Sequence, residues 1–203
     1  MVDWDERYAG DDYLFGTAPS AFMVAQQARL PAQGMALAVA DGDGRNGVWL
    51  AEQGLDVLAV DGSQVGLDKS RRLADARGVQ LRYELADLAD WDFGHERFDV
   101  IAGIFIQFAD PAFRARMFAD MQRALKPGGL LLLQGYRPEQ LAYGTGGPSE
   151  AENMYTEPML REAFSGLQIE HLASYDAELH EGRHEGMSAL IDLVARKPAA
   201  ACA

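Results

Sequence analysis

Three glycines, Gly42, Gly44 and Gly47, form the pattern G-x-G-x-x-G between an apolar stretch and a predicted helix. A glycine loop between a first strand and a first helix lets a ligand approach the backbone and the helix N-terminus closely. Asp61 ends the next apolar stretch, where a carboxylate can accept hydrogen bonds from both hydroxyls of a ribose. A turn with a surface aspartate is the alternative, but the strand context and the spacing to Asp61 favour a nucleotide site.

The elements that would position this loop alternate between apolar strands and helices. Strands are predicted over 35–40, 56–61, 79–87, 98–106 and 130–136, and helices over 44–54, 64–77 and from Asp110-Pro111 to about 125. Because the strands are almost entirely apolar, we expect a parallel sheet that is covered on both faces. Open sheets of this kind bind ligands at the carboxyl ends of their strands, where the loop and Asp61 converge.

The pattern changes after Tyr136. A loop rich in glycine and proline covers 137–150, and a short helix begins at about Thr156. Two longer extended stretches, 167–177 and 187–196, flank the segment ELHEGRHEG. We expect these two stretches to pair antiparallel at the edge of the sheet.

The composition limits the domain organisation and the partners. With 203 residues, 48% of them hydrophobic, we expect one domain over 1–197, with 1–30 as an N-terminal lid or helix segment and 198–203 as a disordered tail. The net charge of −13 disfavours nucleic acid, and no apolar run is long enough to span a membrane. The N-terminus does not have the pattern of a signal peptide, and the single cysteine, Cys202, suits a reducing cytoplasm.

The order of several sequence blocks resembles that of class I S-adenosylmethionine (SAM)-dependent methyltransferases. The resemblance is greatest to the compact bacterial group that includes the tellurite-resistance and thiopurine methyltransferases. The blocks are WDERY, YLFGTAPSAF, GDGRNGVWLAEQGLDVLAVDGS, ADL, FDVI, LKPGGLLLLQGY and MYTEPMLREAF. The resemblance implies a single-domain, Rossmann-like α/β fold: a seven-stranded, mostly parallel sheet with an antiparallel last strand and helices on both faces. It also implies SAM as the cofactor and S-adenosylhomocysteine (SAH) as the product.

The same resemblance implies roles for individual residues. The glycine loop would hold the methionine end of SAM, Asp61 would hold the ribose, and Asp87 would accept from the adenine amine. For Asp87, a helix cap or an exposed loop acid is the alternative. The segment from Gly103 to Ile106 would line the sulfonium end. The implied cofactor contacts are Ala40, Asp41, Gly42, Gly44, Asn46, Asp61, Gly62, Ser63, Asp87, Leu88, Gly103 and Ile104.

Two alanines depart from the family pattern. The family usually has an acid two residues before its first loop glycine; this chain has Ala38 at the acid's position and Ala40 at the glycine's. Ala38 cannot accept a hydrogen bond from the methionine amine, a contact worth about 1.5–3 kcal/mol when it is charge-assisted. Asp41 and Asp43, both in the loop, are the candidates to replace the acid. A non-catalytic SAM-binding or ligand-binding protein with a degenerate site is therefore a second hypothesis.

We expect no conspicuous acid–base pair on the acceptor side, because the sulfonium is an excellent leaving group and positioning with desolvation supplies most of the rate. The candidate catalytic residues are Tyr13 in an aromatic lid with Tyr8 and Phe15, Gln107 after the fourth strand, and Arg137 after the fifth. Packing is the alternative for the aromatic residues, and Arg137 could bind an acidic substrate. The segment GIFIQF lacks the Asn/Asp-Pro-Pro-aromatic signature of amino-directed nucleic-acid methyltransferases, which favours a small-molecule acceptor.

Two other patterns match different enzyme classes. HEGRH, from His180 to His184, is H-E-x-x-H, the zinc-protease motif, but that chemistry needs a helix, and Gly182 and Gly186 lie in and after the motif. We therefore expect both histidines in a hairpin loop and no metal site. An NAD(P)-dependent oxidoreductase fits the literal glycine pattern. However, the chain lacks a separate substrate domain and the Tyr-x-x-x-Lys pair of short-chain dehydrogenases.

We predict that SAM binds more weakly here than in the family and that Ala38→Asp tightens binding, because the substitution restores an acceptor for the amine. Isothermal titration calorimetry with SAM compares the two proteins. An unchanged dissociation constant would count against this prediction.

Overall fold

The computed structural model describes residues 3–199, which contain one seven-stranded sheet. The strands are β1 Met35–Val39, β2 Asp56–Asp61, β3 Arg82–Leu85, β4 Phe98–Ile104, β5 Leu125–Tyr136, β6 Gln168–Glu181 and β7 His184–Arg196. Their order is β3-β2-β1-β4-β5-β7-β6, and β7 runs antiparallel to both of its neighbours. The predicted fold, a mostly parallel sheet with an antiparallel last strand, is confirmed.

The helices are α1 Trp4–Tyr8, α2 Ala21–Ala25, α3 Arg45–Glu52, α4 Gln64–Arg77, α5 Pro111–Ala124, α6 Gln140–Tyr143 and α7 Glu157–Ala163. The predicted bounds of α4 are confirmed because both of its ends are capped. The Ser63 hydroxyl accepts a hydrogen bond from the Gly66 amide, and Gly78 takes the left-handed conformation after the last turn. Asp110 and Pro111 start α5 as predicted. Within residues 3–199, no helix is long and apolar enough to cross a membrane.

Both faces of the sheet are covered, because successive side chains of an apolar strand point to opposite sides. On one face Leu37 and Leu131 pack in a core with Phe118 of α5. On the other face Ala36 packs in a second core with Trp49 of α3. The helices therefore leave the ends of the strands, rather than the faces of the sheet, as the place for a ligand.

Several strand bounds differ from the prediction, and β3, β5, β6 and β7 differ most. β3 is shorter than the predicted 79–87, because this edge strand pairs with β2 only over Arg82 to Leu85. β5 begins at Leu125 and includes the KPGG segment, five residues before the start predicted for this strand. β6 and β7 extend beyond their predicted ends and leave a tight turn at Gly182 and Arg183.

The hairpin corrects the predicted position of the two histidines. His180 lies in β6 and His184 in β7, where Glu181 pairs with His184 across the turn. Gly182 makes this turn possible, because its φ of +61° is one that side chains rarely adopt. Since the strands continue through the motif, the H-E-x-x-H pattern does not have the helical geometry that zinc proteases require.

Residues 1–2 and 200–203 lie outside the described part of the chain. They include most of the predicted tail, 198–203, and the single cysteine, Cys202. The disordered tail and the cytoplasmic location therefore stay predictions.

Candidate functional site

Asp61 joins the two loops at the carboxyl edge of the sheet. β1 and β2 pair in parallel with Val39 opposite Val60, so the loop after β1 lies beside the end of β2. One Asp61 oxygen accepts a hydrogen bond from the Gly42 amide at 2.8 Å, and the other accepts from the Ser63 amide at 2.8 Å. Burial raises the pKa of Asp61, although these two amides act in the opposite direction. The glycine loop and Asp61 therefore meet, as their positions in the sequence predict.

Two glycines of the loop are packed against side chains of the protein itself. A Cβ atom on Gly42 would lie 2.2 Å from the Tyr8 hydroxyl, and one on Gly44 would lie 2.2 Å from the Ser70 hydroxyl. Both glycines also have positive φ, +59° and +95°. These contacts explain the two glycines without a pyrophosphate ligand, so the literal fingerprint gives no specific support to an NAD(P) site.

Ala40 stands where the family has its first loop glycine, and its backbone explains that preference. Its φ is +49°, in the left-handed region that costs an alanine about 1–2 kcal/mol. The departure from the family pattern is therefore also a strained backbone position.

A small recess lies between the glycine loop, β1 and β4. Its volume is about 10 Å³, room for roughly one water molecule. One of its residues, Asn46, is held in place by the Ser20 amide, which donates to Asn46 Oδ1 at 3.0 Å. The recess is lined by Ala38, Val39, Ala40, Asp41, Asn46, Ala102 and Ile104. Ala38 and Ala40, the two residues that differ from the family pattern, thus line the same recess as several of the predicted cofactor contacts.

The two candidate replacement acids make different contacts. Asp43 is 1% exposed, and its Oδ2 accepts a hydrogen bond from the Leu14 amide at 2.7 Å. Asp41 Oδ1 accepts from the Gly47 amide at 2.9 Å, whereas Asp41 Oδ2 is buried without a hydrogen-bond partner in the described chain. A Cβ atom on Gly47 would lie 2.2 Å from Oδ2, so the glycine makes room for the carboxylate. Burial, with a smaller effect of Asp61, raises the pKa of Asp41 to about 8.

The predicted adenine contacts follow β3. Asp87 is exposed, and its Oδ1 accepts from the Ala89 amide at 2.9 Å, a local turn contact of the kind weighed as the alternative. Leu88 is buried and belongs to the core that includes α5. A Cβ atom on Gly103 would lie 2.8 Å from Ile106 Cδ1, so a side chain at this position would enter the core. The contact of Gly103 with the cofactor stays a prediction.

The N-terminal segment, residues 3–30, lies across the glycine loop. Tyr8 is 4% exposed and its hydroxyl lies against Gly42. The Asp5 carboxylate accepts from the Ser63 hydroxyl at 2.6 Å and from the Val65 amide at 3.1 Å, which attaches α1 to the start of α4. The segment thus covers the loop that the family resemblance assigns to the cofactor.

The structure gives Tyr13 a packing role instead of the predicted role in the acceptor pocket. Its hydroxyl donates to the Lys69 carbonyl at 3.1 Å, and its ring packs against Val48 and Leu73. These residues belong to α3 and α4, so Tyr13 fastens the N-terminal segment to these helices.

Gln107 also differs from the prediction, because its amide is fully used by the backbone. Its Oε1 accepts from the Tyr136 amide at 2.6 Å, and its Nε2 donates to the Tyr136 carbonyl at 2.9 Å. The side chain is 5% exposed. Gln107 therefore braces the end of β5 and has little capacity left for an acceptor molecule.

Arg137 is paired within the protein. Its guanidinium forms ion pairs with Asp176 of β6 and, at 3.5 Å, with Glu139. Because two carboxylates already compensate its charge, Arg137 is poorly placed to bind an acidic substrate as predicted.

An aromatic cluster of Phe15, Phe105, Tyr136 and His184 was missed as a unit by the sequence analysis. The His184 ring lies between Phe15 and Phe105, with ring centroids 4.4 and 4.2 Å away. The Tyr136 hydroxyl and His184 Nδ1 share a hydrogen bond of 2.6 Å. Burial, with a smaller effect of Arg45, lowers the pKa of His184 to about 3. A neutral, apolar cluster therefore follows Ile104 at the ends of β4 and β5.

Glu181 attaches the hairpin to α3 and to the N-terminal segment. Arg45 is 4% exposed and bonds one Glu181 oxygen at 2.7 Å, while the other Glu181 oxygen accepts from the Ala21 amide at 3.1 Å. The Arg183 amide donates to the Leu14 carbonyl at 3.0 Å. The hairpin and the N-terminal segment therefore meet beside the aromatic cluster.

Sequence comparisons match the central part of the chain. Residues 36–129 match a family model described as a methyltransferase domain. The chain is 34% identical over 88 residues to the biotin biosynthesis bifunctional protein BioHC of Teredinibacter turnerae, which covers 42% of this chain and 15% of that protein. This chain spans less than half the length of the curated relatives it matches.

Solved structures match nearly the whole fold. A structure from work on the conversion of a disulfide bond into a thioacetal group during echinomycin biosynthesis has a TM-score of 0.77 at 21% identity, covering 96% of this chain and 91% of that chain. TehB from Haemophilus influenzae has a TM-score of 0.71 at 18% identity, covering 86% and 61%. At these identities the likeness shows the fold.

We predict that Ala40→Gly raises the free energy of unfolding by about 0.5–1 kcal/mol, because glycine adopts positive φ without strain. Urea unfolding measures the change. Ala38→Gly is the matched control: Ala38 lies in β1, so glycine there should destabilise the protein. Equal destabilisation by both substitutions would contradict the prediction.

We predict that His184 makes the protein less stable at acid pH. Its pKa is lowered in the folded state, so between about pH 6.5 and 3 the unfolded chain binds one more proton at this residue. The stability advantage of the wild type over His184→Gln should therefore shrink by up to about 2 kcal/mol from pH 7 to pH 5. Urea unfolding at both pH values tests this, with the exposed His180→Gln as the control. An advantage that stays constant would contradict the prediction.

Proposed function

We propose that this chain is a class I SAM-dependent methyltransferase of the TehB-like type and that it transfers a methyl group from SAM to a small molecule. The observation that carries the proposal is the recess beside the glycine loop, at the carboxyl ends of β1 and β4. Asp41, one of its lining residues, has a buried oxygen without a hydrogen-bond donor in residues 3–199. The family implies SAM as the cofactor.

The residues around the recess fit the parts of SAM. Asp61 uses each carboxylate oxygen for one amide, Gly42 or Ser63, so both oxygens keep acceptor capacity for ribose hydroxyls. The Asp87 carboxylate has a second oxygen for the adenine amine. Ile104 gives the recess an apolar wall toward β4. When bound, SAM supplies a methyl group on a positively charged sulfur that departs as a neutral thioether.

The N-terminal segment would act as the lid of this site. A recess of about 10 Å³ is far too small for SAM, and Tyr8 lies directly over Gly42. The amides of Leu14 and Ser20 also hold loop and helix residues closed. We infer that the segment moves to admit the cofactor and then closes, which excludes water and holds the reacting groups in line.

The aromatic cluster would form the acceptor side. It follows Ile104 in space and in sequence through Phe105, whose ring packs on Tyr136 and His184. Because burial keeps the pKa of His184 far below neutral, this wall is uncharged at pH 7. An uncharged aromatic wall suits a small acceptor with apolar surface, and the net charge of −13 supports this over a nucleic acid.

A non-catalytic SAM-binding protein is the second candidate. It is favoured by Ala38, which cannot pair with the methionine amine, and by the strained φ of Ala40. Both candidates require a SAM site, and they differ in turnover. Formation of SAH from SAM when small-molecule acceptors are supplied distinguishes the enzyme from the binding protein.

We predict that SAM and SAH raise the melting temperature, whereas NAD and NADP at equal concentration leave it unchanged. A ligand that binds only the folded state stabilises it by RT ln(1 + [L]/Kd). Asp61→Asn should reduce the SAM-induced shift. The control, Asp56→Asn, lies at the opposite end of β2 and is exposed, so it should retain the shift. A shift with NAD alone would contradict the proposed function.

A further inference from the structure

We infer that Asp41 binds the ammonium group of the methionine portion of SAM. This loop carboxylate would thereby replace the acid that the family usually has at the position of Ala38. This inference deepens the proposed function and rests on it. It assigns the Asp41 side chain to one charged group of the ligand, and it gives Asp41 a role that the neighbouring acid Asp43 does not have.

The unused oxygen of Asp41 is the first support. Asp41 lines the recess together with Ala38 and Ala40. Its Oδ1 is fixed by the Gly47 amide at 2.9 Å, which orients the carboxylate, while Oδ2 is buried and has no hydrogen-bond partner among the described residues. A buried acceptor without a donor is costly, and a ligand donor would remove that cost.

The neighbouring acids are already engaged. Asp43 accepts from the Leu14 amide, and Asp61 accepts from the amides of Gly42 and Ser63. None of these hydrogen-bonded oxygens belongs to a residue that lines the recess. Of these three acids, Asp41 is thus the one that lines the recess and has a buried oxygen without a hydrogen-bond partner among the described residues.

Within residues 3–199, the Asp41 carboxyl forms no ion pair with a cationic side chain. Arg45, the nearby cation at the start of α3, is bonded to Glu181 at 2.7 Å. The side chains of Ala38 and Ala40 are methyl groups, which cannot accept a hydrogen bond. An ammonium group that enters would therefore meet Asp41 as the unpaired acid, which can lose its proton and accept a charge-assisted hydrogen bond.

This environment also gives the inference a proton signature. The charged and titratable groups that act on Asp41, or on which Asp41 acts, come from α1, the loop, α3, β2 and β3: Tyr8, Asp43, Arg45, Asp61 and Tyr83. Burial and two of these carboxylates raise the pKa of Asp41 to about 8, so at pH 7 it holds a proton before the ligand binds. Binding of an ammonium group would release that proton.

Calorimetry with two ligands tests the assignment. SAH carries the ammonium group, whereas 5′-methylthioadenosine has the same nucleoside and thioether without the amino-acid portion. Asp41→Asn should weaken SAH binding by about 10- to 100-fold and change methylthioadenosine binding less than twofold. Asp43→Asn, the same change in the same loop, should leave the ratio of the two affinities unaltered.

A second test removes the carboxylate at position 41 and places one at position 38 in β1, where the family usually has it. Ala38→Asp in the Asp41→Asn background should recover at least tenfold of the lost SAH affinity. In the wild-type background Asp41 already serves the ammonium, so the gain from Ala38→Asp is smaller there. Retained methylthioadenosine binding shows that each variant is folded.

Proton release from the wild type is an additional signature of the inference. SAH binding at pH 7, measured in buffers of different ionisation enthalpy, should release protons, and methylthioadenosine binding should release none. If Asp41→Asn weakens both ligands equally, the inference is overturned while the proposed SAM site stands. If the wild type binds neither ligand, both fail.

Discussion

The site depends on the Asp61 carboxylate, which accepts one amide from the glycine loop and one from the start of α4. Parallel pairing of β1 and β2 brings these two loops side by side, and the carboxylate holds them there. Because Asp61 is buried, its charge must be satisfied by these amides and by whatever else binds at the edge. The same residue therefore holds the two loops together and would also bind the ribose.

The site is closed by parts of the chain that are far apart in sequence. Asp5 and Tyr8 bring α1 onto α4 and the glycine loop, while Glu181 brings the hairpin onto Arg45 and α2. The polar contacts of Asp5 can break and re-form without loss of the core, which suits a lid over a cofactor. Phe22 and Met23 of α2, by contrast, are buried in the core that includes Trp49, so α2 anchors the N-terminal segment.

Helix ends and buried strands, which depend on residues close together in the chain, were predicted well from the sequence. The bounds of α4 follow from Ser63 and Gly78, and the apolar strands predict a sheet covered on both faces. Roles that depend on distant partners could not be predicted, since no spacing reveals them. Tyr13 bonds Lys69, and Gln107 bonds the backbone of Tyr136, so both belong to the scaffold. The H-E-x-x-H pattern drew attention to His184, but its aromatic neighbours come from three separate elements.

We propose that the recess beside the glycine loop is the methionine end of a SAM site. A crystal structure of the protein with SAH tests it most directly. We expect the ribose hydroxyls on the Asp61 carboxylate, the ammonium group within hydrogen-bond distance of Asp41, and the N-terminal segment over the nucleoside. SAH bound away from the glycine loop, or with its ammonium group on another residue and Asp41 Oδ2 still unpaired, would contradict the account.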